Sequence, residues 1–132
     1  MTELTTEQLQ TLRDAKEANP FWFDAVIRCA EVMVPRREKY AGNQHSYYNF
    51  VVLAKQMGMD IMRVFLFYVN IKLSRIGVTT GKNFEDEKWV DSWIDLANYA
   101  LLGLGWLVGR LTFSDVENNV PYSLSTATPK EE

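Results

Sequence analysis

At 132 residues the chain falls within the usual size of one domain, and its formal charge of -3 lacks the Lys and Arg excess through which general nucleic-acid binders release phosphate counterions. An apolar share of 47%, with four Trp, six Tyr and seven Phe, excludes a disordered chain and predicts one hydrophobic core that needs neither metal nor disulfide. The single cysteine, Cys29, precludes an internal disulfide framework and, among Ala25, Val26, Ile27, Ala30 and Val32, reads as a small buried hydrophobe in a reducing, cytoplasmic compartment.

Taken in chain order, residues 1–10 are polar and lack the basic flank and apolar stretch of a secretory signal. Thr5 followed by Gln8 forms a capping box, and Leu9, Leu12 and Ala15 recur at helical spacing until Asn19 and Pro20 interrupt them. Asn19 caps a second helix with Pro20 at its first position, and this helix, Phe21 to Val34, is expected to stop at Pro35. Pro35 to Ser46 then reads as an exposed polar connection. Tyr47 to Met57 has a helical apolar pattern ended by Gly58.

Asp60 caps the run Ile61 to Ile76, which is apolar nearly all round and belongs at the centre of a bundle. That run is too short to cross a membrane and contains Arg63, Asn70, Lys72 and Arg75, each costly in hydrocarbon, so no membrane partner is expected. After a loop from Val78 to Phe84, a last helix runs from about Glu87 to Leu111. Gly103, Gly105 and Gly109 inside it each cost up to about 1 kcal/mol of helix propensity, which predicts close packing against another helix of this chain or of a second copy. The expected architecture is all-α: a single bundle of about five helices over residues 1–111, with a mostly irregular or disordered tail over residues 112–132 in which Val120 to Leu124 dock. Self-association into a homo-oligomer is expected from the same glycine-punctuated apolar segment and the many large rings.

Polar residues at helical spacing supply the candidate site. Lys72 and Arg75 share one helix face, as do Asp91 and Asp95, with Asn98 and Tyr99 one turn further on; two antiparallel helices joined by a short loop bring the basic and acidic pairs together. Such a quartet is either an ion-pair network that sets helix register or a ligand site. In the second case Asp91 and Asp95 hold Mg²⁺ while Lys72 and Arg75 meet phosphate oxygens. Arg36, Lys39 and Tyr40 form a second cluster, either a solvated turn or a further set of phosphate contacts, and Asn49 beside Phe50 is either a surface amide or a base-recognition group. His45, alone in a polar loop, reads as an exposed bystander, and no phosphate-binding glycine loop, zinc spacing or dinucleotide fingerprint is present.

Taken together, Arg36, Lys39-Tyr40, Asn49-Phe50, Lys72-Leu73-Ser74-Arg75 and Asp91-Ser92-Trp93-Ile94-Asp95-Leu96-Ala97-Asn98-Tyr99-Ala100 resemble a family of small phage-associated domains of unknown function. That family is in turn similar to the all-α nucleoside triphosphate pyrophosphohydrolases of the MazG type. The resemblance implies nucleotide binding in the host cytoplasm, with Mg²⁺ on Asp91 and Asp95 activating water and Lys72 and Arg75 facing it. An E-E-x-x-E helix, the richest metal-binding element of those enzymes, is not present here, and Asp91-x-x-x-Asp95 is not their E-x-x-D spacing. A non-catalytic binder that sequesters a signalling nucleotide is therefore the alternative, and a structural or interaction protein without a small-molecule ligand is the third reading.

Overall fold

A computed structural model describes residues 3–42, 44–79 and 87–119. They form six helices, α1 (Thr6–Ala18), α2 (Pro20–Ala41), α3 (Tyr48–Met57), α4 (Ile61–Thr79), α5 (Glu87–Gly109) and α6 (Phe113–Glu117), and no strand occurs among them. The all-α architecture is as expected.

Local chemistry sets most of the boundaries. The Thr5 and Gln8 capping box is closed in both directions, and the Asn19 side chain accepts the Trp22 amide at 3.0 Å, with Pro20 at the first position of α2. Gly58 ends α3 in the left-handed conformation, with φ 61°, and Asp60 accepts the Met62 amide at 2.9 Å to start α4.

Two boundaries differ from expectation. Helix α2 continues through Pro35 to Ala41, so Arg36 and Lys39 lie on a helix rather than in a loop. Proline removes one intrahelical hydrogen bond, but contacts with α5 on both sides of it hold the axis: the Asn98 amide donates to the Cys29 carbonyl at 3.1 Å, and Arg36 pairs with Asp95. The second difference is α6, within the stretch expected to be irregular. Thr112 and Asp115 form a capping box, and Val116 is completely buried in the core, which anchors a helix of only five residues. Val120 to Leu124 lie outside the described residues.

Helices α4 and α5 are the main contact of the fold, and contacting residues run in opposite directions along them: Met62 and Phe65 meet Gly103, Tyr68 stacks on Tyr99, and Lys72 meets Asp95. They are antiparallel neighbours. Against one side of this pair pack α3 and α2, with α6 on α3 and α1 resting on α2. The core consists of Tyr47, Val51, Ala54, Ile61, Val64, Phe65, Trp106, Leu111 and Val116. Tyr47 is its polar anchor, since its hydroxyl donates to the Leu102 carbonyl at 2.6 Å while its ring lies edge-on to Phe65 and Trp106.

Two of the three glycines in α5 are explained within the chain. A Cβ on Gly103 would touch Met62 and Phe65 at 3.6 to 3.8 Å, and one on Gly105 would lie 2.7 Å from the Tyr47 hydroxyl. The backbone of α5 therefore comes close to α4 and to Tyr47 at these positions. They do not need a second copy to account for them.

Candidate functional site

The middle of α4 and α5 carries the polar constellation, and α2 completes it. The expected quartet divides. Lys72 donates to Asp95 Oδ2 at 2.9 Å, and the two side chains are only 13% and 12% exposed; Asp95 Oδ1 accepts from Arg36, which reaches over from α2 and is 48% exposed. Arg75 and Asp91 remain exposed on the same side, three and four residues from Lys72 and Asp95 respectively. Burial alone would raise the Asp95 pKa, but hydrogen bonds and charge from Arg36 and Lys72 outweigh it and hold the carboxyl below its ordinary value of 3.8. Asp95 is thus an ionised internal counterion for two cations from two different helices.

Two hollows flank this ion cluster and share Arg36 and Asp95 as lining residues. The first, about 540 Å³, is mostly apolar. Its walls include Phe50 of α3, Tyr68 of α4 and Tyr99 of α5, with the side-chain amides of Asn49 and Asn98. Tyr68 and Tyr99 stack with centroids 4.9 Å apart and planes 14° apart, and Phe50 stands edge-on to both. The second hollow, about 560 Å³, is lined by Arg36, Lys72, Arg75 and Lys88 with Asp91, Asp95, Ser74 and Ser92. Among the described residues, four cations against two carboxylates line it, a local surplus of positive charge on a chain whose formal charge is -3.

Of the residues singled out in the sequence, Arg36, Asn49, Lys72, Arg75, Asp91, Asp95, Asn98 and Tyr99 all line one hollow or the other. Lys39 is exposed on α2 and lies outside both, and the Tyr40 side chain lies outside the described residues. Sequence reading missed Tyr68 and Lys88. Tyr68 stands four residues before Lys72 and so on the same face of α4, and that spacing is the signal that finds it. Arg37 was missed as a clamp: its guanidinium donates to the Gly42 and Gln44 carbonyls at 2.8 and 3.1 Å and fastens the α2–α3 connection beside the apolar hollow.

His45 is buried, not an exposed bystander. Its Nδ1 accepts the Tyr47 amide at 3.3 Å, and burial, followed by the nearby Arg37 charge, pushes its pKa down, with Asp115 opposing. It holds the entry to α3 in its neutral form. Cys29 is buried as expected, and burial raises its thiol pKa.

A divalent ion on Asp91 and Asp95 would have to compete with the cations that hold Asp95. Both Asp95 oxygens already accept from cations, and among the described residues no three His, Cys, Asp or Glu side chains gather to hold an ion. No helix among the described residues is long and apolar enough to cross a membrane. Compared with known protein families, curated proteins and solved structures, the chain matches none of them.

Proposed function

We propose that this protein binds a nucleotide, with the base in the aromatic hollow and the phosphates in the basic one. The observation that carries this reading is that the two hollows adjoin and share Arg36 and Asp95. An aromatic slot gives a flat heterocycle apolar contact and stacking, and Asn49 and Asn98 offer amide groups at its edge. The adjoining surplus of cations suits phosphate, Arg75 through a two-pronged guanidinium and Lys88 as a point charge. A ligand that joins a flat ring to a cluster of negative charge is complementary to both halves at once.

This is a reading of binding, not of turnover. Hydrolysis through Mg²⁺ on Asp91 and Asp95 would require Asp95 to surrender Arg36 or Lys72, whereas sequestration of a nucleotide needs only the cleft as it stands. Withdrawal of a signalling nucleotide in a phage-infected host cytoplasm is the setting that the sequence resemblance suggests. The structural reading accounts for part of the cluster, because the Lys72–Asp95 pair sets the register of α4 against α5. It does not call for the two open hollows on either side of the cluster.

A thermal-shift screen of common nucleoside triphosphates and cyclic dinucleotides tests the proposal, since a ligand that binds only the native state raises its apparent stability. At least one member is expected to raise the melting temperature in magnesium-free buffer. Arg75→Ala should leave the fold intact and weaken that ligand by about 1.5 to 3 kcal/mol, roughly 10- to 150-fold. Failure of every nucleotide to shift the parent at millimolar concentration would remove the reading.

A further inference from the structure

We infer that the outer face of the α4–α5 pair is the contact surface for a second copy of this chain. On α5, Val90, Trp93, Leu101, Leu104 and Val108 are 45% to 71% exposed, although all are large and apolar. At roughly 100° per residue they fall within about a quarter turn of one another, opposite the face that carries Asp95, Tyr99, Leu102 and Trp106. No charged side chain interrupts that stripe along α5. On α4, Leu66 and Leu73 are likewise exposed and lie opposite Val64 and Tyr68. The helices are antiparallel and both turn their inner faces to the same layer, so these outer stripes lie side by side and form one surface.

Its size fits a subunit interface. With ordinary full-exposure areas of roughly 150 to 250 Å² per residue, the seven side chains leave on the order of 700 Å² of apolar surface open, close to the contribution of one partner to a standard interface and more than the largest patch of a typical monomer. Its composition selects the occupant. A helix that lies on a membrane carries a strongly basic polar face, whereas the charged residues of the two helices, Arg63, Lys72, Arg75 and Lys88 against Glu87, Asp91 and Asp95, nearly balance. A mainly apolar surface, bordered on α4 by the exposed Arg63 and Asn70, is complementary to itself, and a two-fold pairing of two α4–α5 pairs gives a four-helix arrangement that covers both stripes. The nucleotide cleft faces away from this surface, so the inference stands apart from the proposed function.

Sedimentation of the full chain at micromolar concentration should give twice the 15.3 kDa chain mass. Leu104→Glu on α5 and Leu66→Glu on α4 should each weaken association by at least about tenfold and yield a 15.3 kDa species that keeps its helical circular dichroism. Hydroxyl-radical labelling of the parent reads the same face without mutation, and Trp93 and Leu66 should be protected at high concentration and reactive at low. A parent that remains a 15.3 kDa species at 100 times the labelling concentration overturns the inference, whether or not it floats with anionic phospholipid vesicles. So does a doubled mass with Trp93 and Leu66 as reactive as in the monomer.

Discussion

Asp95→Ala is expected to destabilise the protein by about 2 to 3 kcal/mol, because it removes the counterion of two cations together. Lys72 is largely enclosed, so its ammonium would be left in a poorly solvated position, and the penalty approaches that of breaking a buried pair. Arg36 is half exposed and recovers part of its hydration by turning outward, which keeps the total below the upper range for fully buried networks. Acid titration isolates the contribution. The folded-state pKa of Asp95 lies below the ordinary 3.8, so its stabilisation is fully present above that value and is lost as pH falls through the folded pKa. The stability gap between parent and Asp95→Ala should thus be constant above about pH 5 and close below it. His45 has the same sign at a higher pH: its lowered pKa makes both proteins less stable as pH drops below 6.5. Denaturant unfolding at a series of pH values checks this, and a gap smaller than about 0.5 kcal/mol at neutral pH would show the cluster to be energetically idle.

Gly105→Ala is expected to cost about 1 to 3 kcal/mol despite the better helix propensity of alanine, since the new methyl would stand 2.7 Å from the Tyr47 hydroxyl. A flexible side-chain end would step aside at small cost. Tyr47 is only 3% exposed, is packed edge-on against Phe65 and Trp106, and is tied by its hydroxyl to the Leu102 carbonyl, so moving it disturbs the centre of the core. Tyr47→Phe in the same chain removes the clashing oxygen and should recover most of the loss in a double-mutant cycle. Gly103→Ala is the control. Its methyl meets Met62 and Phe65 at ordinary contact distances, and it should be neutral or stabilising by up to about 1 kcal/mol. Equal effects at Gly103 and Gly105 in denaturant unfolding would mean that Tyr47 does not hold its place as rigidly as its contacts indicate.

Local signals made the fold legible where chemistry within four residues decides it. The Thr5 and Gln8 box, Asn19 before Pro20, Gly58 and Asp60 each mark a helix end at the expected place. Expectation failed where distant contacts override a local rule. Pro35 ends a helix in isolation, but Cys29 and Arg36 are fastened to α5 on either side of it. Residues 113–117 carry too little apolar surface to hold a helix alone, and Val116 does so only because α3 and α4 provide a place for it. His45 looked exposed because its neighbours in sequence are polar, whereas in space it lies against Tyr47.

The candidate site was legible to the same extent. Spacing of three and four residues put Lys72 with Arg75 and Asp91 with Asp95 on single faces, and the α4–α5 pairing brought the faces together. Spacing could not tell which of the four would turn inward, because that depends on the packing of α2. Local composition places Arg36 in a loop, whereas it arrives from a helix as the second partner of Asp95. The aromatic slot is only half legible in the sequence: Asn49, Phe50 and Tyr99 stand out singly, but Tyr68 makes the stack.

The measurement that bears most directly on the central claim is a calorimetric titration of the parent protein, in magnesium-free buffer, with the best nucleoside triphosphate of the screen, with its nucleoside alone and with inorganic tripolyphosphate alone. The triphosphate alone fills both adjoining hollows, so it should bind at least about tenfold more tightly than either half, a difference of about 1.4 kcal/mol. Tripolyphosphate binding as tightly as the triphosphate, or no heat with any of the three, would contradict a cleft that reads base and phosphate together.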